Sequence, residues 1–199
     1  FDYLPALYNT FNEILVNARD QVVRLQQNKS KNPVTTIKVT INKETGLITI
    51  YNDGEGIDVA KHPTEKDKDG KPVMIPEMIF GHLLTSTNYE KDEKKIVGGK
   101  NGYGAKLTNI FSTYFKLETL DTVRGLRYVQ EFKNNMKDRG KPRKIKSANK
   151  SYTKVSWIAD FNRFGLTSYS DKMYQLMERR IYDIAGVTDK TLNVYYNGK

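Results

Sequence analysis

The sequence predicts an α/β (α+β) fold, a two-layer sandwich in which helices pack on one face of a mixed β-sheet. Apolar residues recur at helical spacing near both ends of the 199-residue chain, and several segments between them alternate with the period of two typical of strands. Helices and strands follow one another in mixed order. Because 38% of the residues are hydrophobic, we expect one domain over residues 1–199 with its own core.

The first predicted element is a helix from Leu4 to about Leu25. Asp2 is expected to cap this helix, and Pro5 suits its first turn. Its apolar residues recur at steps of three and four and form one stripe that we expect to be buried, namely Leu7, Phe11, Ile14, Ala18, Val22 and Leu25.

Polar residues lie on nearly the opposite side of this helix. Glu13, Asn17 and Asp20 follow one another at helical spacing, which is usually typical of a solvated face. Because Val16 and Val23 flank them, we predict that this face is not fully open to water.

A β-hairpin follows, with strands over residues 37–41 and 47–51. It leads into a tight polar turn from Asn52 to Ile57. The glycines in this turn would let a planar ring approach the backbone, and Asn52 could hydrogen-bond to the edge of a base. A plain β-turn is the alternative.

The next segment, from Asp58 to Pro76, is charged and rich in proline, which predicts an exposed loop with an insertion near residues 61–76. A short helix is expected over residues 76–84. Hydroxyl and amide residues then occupy positions 85–89, and the charged run 90–95 is a candidate lid over a ligand.

A glycine-rich stretch from Ile96 to Leu107 is the strongest candidate for a phosphate-binding loop. It contains four glycines (Gly98, Gly99, Gly102 and Gly104), and a helix is predicted from Gly102 to about Phe111, burying Leu107 and Ile110. Backbone amides, the helix N-terminus and Lys106 would then converge on an anion. The stretch matches neither a P-loop nor the dinucleotide-binding fingerprint. A flexible loop that caps a helix is the alternative.

The second half of the chain continues the sheet. Strands are predicted over residues 114–120, 126–133 and 153–158, a helix from Ser168 to Ile184, and a final strand from Leu192 to Tyr196. The helix is expected to bury Met173, Leu176, Met177 and Ile181.

Composition excludes several classes of protein. The charged fraction of 28% and the lack of a long apolar run exclude a membrane protein, and the absence of cysteine excludes disulfides and thiolate metal sites. His62 and His82 lie far apart and are taken as structural or surface residues. The net charge of +10 is concentrated between Lys133 and Lys154, where nine cations face one acid, Asp138. This basic segment is either a solvated loop or a contact for nucleic-acid phosphates.

Three stretches in fixed order resemble the N, G1 and G2 boxes of the GHKL ATPases, which include gyrase B, Hsp90, MutL and histidine kinases. They are Glu13-Ile-Leu-Val-Asn17-Ala-x-Asp20, Asn52-Asp-Gly-x-Gly56-Ile, and Gly98-Gly-x-Asn-Gly-Tyr-Gly-Ala-Lys106. Residues 85–89, 92–95, 109–113 and 180–186 are similar to the ATPase region of eukaryotic-type DNA topoisomerase II.

The resemblance implies the Bergerat ATP-binding fold, with ATP and Mg²⁺ as cofactors. Glu13 would be the general base that polarises the attacking water, and Asn17 would coordinate Mg²⁺. Asn52 would meet the adenine edge. Many relatives carry Asp there, but the amide carbonyl can still accept the adenine amino proton. Thr153 resembles the G3-box threonine.

The resemblance also assigns the triphosphate and ribose contacts. Ser86, Thr87 and Asn88 would bind ribose and phosphate. The triphosphate would be held by the loop and helix residues Gly99, Lys100, Asn101, Gly102, Tyr103, Gly104, Ala105 and Lys106. Lys106 would also oppose the charge that develops during phosphoryl transfer.

At the level of function, the resemblance implies the ATPase gate of a homodimeric, DNA-binding topoisomerase II, without a membrane partner and most naturally nuclear, with a viral or organellar enzyme as alternatives. The chain would be a fragment that lacks the N-terminal strap, the transducer and the DNA-cleavage region, so we expect slow hydrolysis and poor dimerisation. Two alternatives stay open: another GHKL ATPase of the Hsp90 or MutL kind, or a non-enzymatic basic module that binds nucleic acid.

Overall fold

The computed structural model describes residues 3–67, 69–82 and 104–199. In these ranges the helices are α1 (Pro5–Gln27), α2 (Ile75–Gly81), α3 (Gly104–Ile110) and α4 (Asp171–Val187). The strands are β1 (Thr36–Ile41), β2 (Leu47–Asp53), β3 (Lys61–Lys66), β4 (Pro72–Met74), β5 (Ser112–Asp121), β6 (Leu126–Lys133), β7 (Asp138–Arg139), β8 (Arg143–Lys146), β9 (Tyr152–Ala159) and β10 (Asn193–Tyr196). A short 3-10 helix spans Phe161–Phe164.

The main sheet is mixed, as predicted. Its strands are ordered β10-β1-β2-β9-β5-β6, and both β7 and β8 pair with β6 at the far edge. β1 and β10 run parallel, whereas the other neighbours in this sheet are antiparallel. β3 and β4 form a separate hairpin.

The helices cover one face of this sheet, which confirms the predicted two-layer architecture. α1 packs on β2, α2 on β5 and β6, and α4 on α1 and β10. Alternate residues of the central strands supply the sheet side of the core, among them Ile48, Ile50, Phe115, Leu117, Val155 and Trp157. Burying each such side chain contributes roughly 1.5–3 kcal/mol, so this interface is the main source of stability.

α1 confirms the predicted apolar stripe, because all six of its residues are buried. Pro5 occupies its first turn, as expected. The N-cap residue is Leu4, which makes no side-chain capping bond, so Asp2 is not in the capping position. Asp2 itself lies outside the described residues. A proline at the first turn removes one of the N–H groups that would otherwise need a cap.

The predicted exposed loop near 61–76 is wrong in part, because β3 and β4 pair as an antiparallel hairpin there. Its turn is stabilised by Asp67, whose Oδ1 accepts from the amides of Asp69 at 2.9 Å and Lys71 at 2.8 Å. The strands bury little side-chain surface, so they carry no apolar alternation by which a sequence could reveal them. The expectation that the segment is exposed is confirmed for about half of its described residues.

α2 ends at Gly81, and the rest of the helix predicted to Leu84 lies partly outside the described residues. α3 begins at Gly104 in the described part of the chain and ends at Ile110. The prediction that Leu107 is buried is wrong, since 47% of it is exposed. Ile110 is half-buried and packs against the core.

Polar contacts explain which side of α3 faces inward. The Thr108 hydroxyl donates to the carbonyl of Thr10 in α1 at 3.0 Å, and Asn109 Nδ2 donates to the carbonyl of Phe80 in α2 at 2.9 Å. Both side chains are fully buried. Because these hydrogen bonds fix the rotation of the helix, Leu107 is turned outward.

The strands and the helix predicted for the second half are confirmed, with ends that move by up to three residues. Leu176 is half-buried, whereas Met173, Met177 and Ile181 are buried as expected. The Ser170 hydroxyl accepts from the amide of Met173 at 3.2 Å and caps α4. The basic segment between β6 and β9, expected as a loop, contains β7 and β8. None of the helices in the described ranges is long and apolar enough to cross a bilayer.

Candidate functional site

A cavity of about 340 Å³ opens between α1, the ends of β2 and β9, and α2. Its polar wall consists of Asn17, Asp20, Gln21, Arg24, Asn52, Glu55, Asp58 and Thr153. Its apolar wall consists of Ile14, Ala18, Ile50, Gly56, Ile57, Ile75, Ile79, Phe80 and Val155. An apolar cleft with a few converging polar groups is typical of a small-molecule site.

The cavity brings together three residues that the sequence singled out from distant segments. Asn17 comes from α1, Asn52 from the end of β2, and Thr153 from the start of β9. β2 and β9 are neighbours, and Asn52 lies directly opposite Thr153 in their register. Both side chains therefore point to the same face of the sheet, beneath α1.

Asn52 is almost fully buried, with 6% of its surface exposed. Its Nδ2 donates to the backbone carbonyl of Asp53 at 2.8 Å. This bond fixes the orientation of the amide, so that the Oδ1 atom is available as an acceptor on the cavity side.

The hydroxyl of Thr153 donates its proton to Thr119. Thr119 Oγ1, fully buried on β5, accepts from the amide of Ile57 at 2.9 Å and donates to the carbonyl of Tyr152 at 3.0 Å. In the 3.1 Å contact between the two hydroxyls, Thr153 must then be the donor. The lone pairs of Thr153 face the cavity as acceptors.

The turn after β2 is held against the end of β5. Gly56 is required there by close approach, because a Cβ at this position would lie 2.0 Å from the Leu120 carbonyl oxygen. Three residues after Gly56, the Val59 amide donates to Asp121 Oδ2 at 2.9 Å. These contacts position Ile57 and Asp58 in the cavity wall.

Asp121 is buried and is held in its ionised form. Arg124 Nη1 donates to Asp121 Oδ2 at 2.7 Å, and the Arg124 amide donates to Oδ1 at 3.1 Å. Burial alone would raise the pKa of the Asp121 carboxyl, but the hydrogen bonds from Val59 and Arg124 outweigh burial and lower it.

The C-terminal part of the predicted polar face, Asn17 and Asp20, lines the cavity. Asn17 and Asp20 are half-buried, as expected, whereas Glu13 is exposed, so the expectation of a partly dry face is wrong at that position. Glu13 does not line the cavity. Its carboxylate lies instead against α3, where a Cβ at Gly104 would be 1.9 Å from Glu13 Oε2.

Asn17 has the features of a cation ligand. Its side chain lines the cavity and makes no hydrogen bond to any residue within 3–67, 69–82 or 104–199. A half-buried amide oxygen is a hard ligand of the kind that Mg²⁺ accepts beside water and phosphate oxygens. Within the same ranges, no three His, Asp or Glu residues cluster closely enough to form a metal site by themselves. The donor set therefore fits an ion that arrives with a phosphate ligand.

The phosphate-binding residues are described only in part. Gly104, Ala105 and Lys106 form the first turn of α3, and Lys106 is 7% exposed. Ser86, Thr87, Asn88 and the loop residues 99–103 lie outside the described residues.

Sequence reasoning missed the residues that frame the cavity. On α1, Arg24 Nη2 donates to Gln21 Oε1 at 2.6 Å, and Gln21 Nε2 donates to the Glu55 carbonyl at 3.2 Å, which ties the helix to the turn. Thr119 was also missed. A hydroxyl among the inward-facing positions of β5 is the one signal in the sequence that could have indicated it.

A family model covers more than half of the chain. Residues 3–140 match the family model described as histidine kinase-, DNA gyrase B-, and HSP90-like ATPase.

Among curated relatives, the chain is 50% identical over 198 residues to DNA topoisomerase 2 of Candida glabrata, covering 98% of this chain and 13% of that protein. It is 44% identical over 197 residues to DNA topoisomerase 2 of Acanthamoeba polyphaga mimivirus, covering 99% of this chain and 14% of the relative. The chain thus spans about an eighth to a seventh of the length of these relatives.

Among solved structures, the ATPase region of Saccharomyces cerevisiae topoisomerase II superposes with a TM-score of 0.82 at 46% identity. The match covers 99% of this chain and 49% of the yeast one.

Proposed function

Because the chain belongs to the histidine kinase-, DNA gyrase B- and HSP90-like ATPase family, we propose that it binds ATP together with Mg²⁺ in the cavity and hydrolyses the nucleotide. The observation that carries this proposal is the meeting of Asn17, Asn52 and Thr153 in one cavity. These residues come from three separate segments and have the chemistry that the adenine and metal ends of the nucleotide require.

The adenine ring occupies the part of the cavity between Ile50, Ile57 and Val155. Asn52 Oδ1 and the lone pairs of Thr153 would accept from its exocyclic amino group, since the Thr153 proton and one of the two Asn52 N–H groups are engaged elsewhere. A base with an amino group at this position is therefore preferred over one with a carbonyl oxygen. A carbonyl would leave the Thr153 oxygen, whose proton is donated to Thr119, facing another acceptor.

Asn17 holds the metal ion through its amide oxygen. When bound, Mg²⁺ supplies positive charge that neutralises the phosphates. Glu13 lies one helical turn before Asn17 on α1, outside the cavity, and its carboxylate would accept a hydrogen bond from the water that attacks the γ-phosphate. Gly104 allows α3 to approach this carboxylate, which brings the helix N-terminus and Lys106 to the same end of the site.

At the level of the whole protein, we propose that ATP turnover serves the N-terminal gate of a nuclear DNA topoisomerase II. There it would drive closure of a homodimeric clamp and passage of a DNA strand. Support comes from identities of 44–50% to proteins named DNA topoisomerase 2 over nearly all of this chain. The Hsp90-like or MutL-like alternative has no comparable support in these relatives.

The test is calorimetric titration of a non-hydrolysable ATP analogue into the chain, with and without Mg²⁺. We expect Asn17→Ala to weaken binding about tenfold or more in the presence of Mg²⁺ and to change it little without the metal. Asn9→Ala is the matched control, because Asn9 is an exposed asparagine on the same helix. A folded wild-type chain that binds no analogue, or an Asn17→Ala variant that keeps the full Mg²⁺ effect, would overturn the proposal.

A further inference from the structure

The edge of the sheet opposite β10 carries most of the net charge of the chain. Residues 133–150, here called the basic edge, contain eight Lys or Arg residues and one acid, giving +7 of the total +10. All eight cations are exposed, and none has a salt-bridge partner within the described ranges. The single acid, Asp138, is hydrogen-bonded to Asn134 instead.

Between positions 138 and 146, the backbone of the basic edge spreads five of these cations along one line. β7 and β8 both pair with β6, in registers that place Arg139 opposite Phe132 and Arg143 opposite Val129. The register shifts by one residue between them, near Gly140, whose amide donates to the Glu131 carbonyl at 2.8 Å. At about 3.3 Å per residue, positions 138–146 extend over roughly 27 Å, most of one turn of a DNA duplex.

Side chains alternate across this line, so that positive charge projects from both sides of the edge. Arg143 and Ile145 point to one side, and Lys144 and Lys146 to the other, with all four exposed. No residue of the basic edge lines the cavity, and β9, which forms part of the sheet side of the cavity, is three strand spacings, or roughly 14 Å, from the basic edge. The basic edge is therefore separate from the nucleotide site.

A charged edge strand also prevents sheets from pairing edge to edge, and this is the alternative explanation. Edge protection needs charge of either sign on β7 and β8. It does not explain Lys133, Lys137 and Lys150, which are exposed cations outside those two strands. Nor does it explain the excess of cations, since Asp138 is the one acid among residues 133–150.

We propose that the basic edge contacts the phosphate backbone of duplex DNA. The choice of DNA as the polyanion rests on the proposed function. The positive charge and the extended shape of the edge are observed independently of that function. Residues 133–150 contain no aromatic residue, so the edge offers no platform on which unpaired bases could stack. The contact is expected to be independent of sequence and strongly dependent on salt.

The test compares two fourfold charge reversals by fluorescence anisotropy with a labelled 30-base-pair duplex at several salt concentrations. The edge variant is Lys141→Glu, Arg143→Glu, Lys144→Glu and Lys146→Glu. It keeps the edge charged and so retains its protection against pairing. The control variant is Lys31→Glu, Lys61→Glu, Lys172→Glu and Lys190→Glu, at exposed positions elsewhere, with the same change in net charge.

We expect the wild-type chain to bind with a slope of log affinity against log salt of about −3 to −4, as for about four phosphate contacts. The edge variant should lose at least tenfold in affinity at low salt and most of the slope, while the control variant stays within about threefold. Equal losses in both variants, or no binding by the wild type at low salt, would overturn the proposal. Equal affinity for single-stranded DNA or for duplex RNA would overturn the commitment to duplex DNA.

Titration of the ATP analogue into the same variants separates this inference from the proposed function. We expect both variants to bind the analogue like the wild type, because the substituted positions lie away from the cavity. If the edge variant fails to fold, the corresponding fourfold substitution to glutamine replaces it in both titrations. Loss of DNA binding with intact analogue binding supports the basic edge, and intact DNA binding in the glutamine variant contradicts it.

Discussion

Gly104 is the residue at which a single methyl group is expected to separate nucleotide binding from hydrolysis. A Cβ there would lie 1.9 Å from Glu13 Oε2 and 2.4 Å from its carboxyl carbon, so one of the two must move. We expect Gly104→Ala to lower the ATP hydrolysis rate at least tenfold, because it displaces the proposed general base, and to change affinity for the non-hydrolysable analogue by less than about threefold. Single-turnover hydrolysis and calorimetry measure the two effects.

Leu107→Ala is the control for this substitution, because Leu107 lies on the same helix and 47% of it is exposed. It should leave both the rate and the affinity near wild type. A Gly104→Ala chain that hydrolyses ATP at the wild-type rate would show that Glu13 is not held against α3 during the reaction.

The sequence predicted which residues belong to the cavity better than it predicted their hydrogen bonds and orientations. Asn17 and Asn52 were predicted because each lies in a motif that resembles a GHKL box, and Thr153 because it resembles the G3-box threonine. The direction of the hydrogen bond from Thr153 to Thr119 could not be predicted. It depends on Thr119, which lies 34 positions away and has its own hydrogen bonds to Ile57 and Tyr152. The outward rotation of Leu107 likewise depends on contacts between helices.

Among the elements, the turn after β2 depends on a neighbour that is distant in sequence. Asp121, at the end of β5, holds this turn through the Val59 amide, and Ile57 and Asp58 between them line the cavity. We expect Asp121→Ala to lower the free energy of unfolding by about 1–3 kcal/mol, because the buried Val59 amide loses its acceptor. The loosened turn should also weaken binding of the ATP analogue severalfold. Urea unfolding and calorimetry measure these effects.

Asp183→Ala, at an exposed position on α4, serves as the control and should change neither quantity. If Asp121→Ala loses stability but binds the analogue as tightly as the wild type, the contact between Asp121 and Val59 does not affect the nucleotide-binding cavity.

Elements with a buried face were predictable, and those without one were not. α1 and the hairpin of β1 and β2 have regular apolar periodicity, because one side of each faces the core. β3, β7 and β8 have mostly exposed side chains, and their pairing rests on backbone hydrogen bonds that any sequence could make. A charged segment therefore looks the same in sequence whether it is a loop or an edge strand.

At the scale of the whole molecule, the order of strands creates the cavity. β9 is inserted between β2 and β5, although some 100 residues separate it from β2 along the chain, and this places Thr153 beside Asn52. Element types alone predict a two-layer sandwich but leave the strand order open. The family resemblance predicted that Asn52 and Thr153 belong to one site. The register between β2 and β9, which pairs the two residues, explains physically why they are close.

The stability of the whole domain should fall in acid because two carboxyl groups in the sheet are held ionised. Burial opposes ionisation of both Asp121 and Glu118, but hydrogen bonds outweigh it at Asp121. At Glu118, a hydrogen bond from Lys116 and the charges of Lys154 and Arg127 do the same. Both carboxyl groups therefore have a lowered pKa in the folded chain, and in acid the unfolded chain binds more protons.

The stabilisation from this pair is present near neutral pH and declines as the pH falls below about 5, through the ordinary carboxyl range and toward the lowered folded-state values. We expect urea unfolding to show a larger loss of free energy between pH 7 and pH 4 in the wild type than in the Glu118→Gln and Asp121→Asn double variant. The double substitution of the exposed carboxylates, Glu44→Gln and Asp183→Asn, should keep the wild-type dependence. Parallel pH profiles for the wild type and the first double variant would show that acid destabilisation originates elsewhere in the sheet.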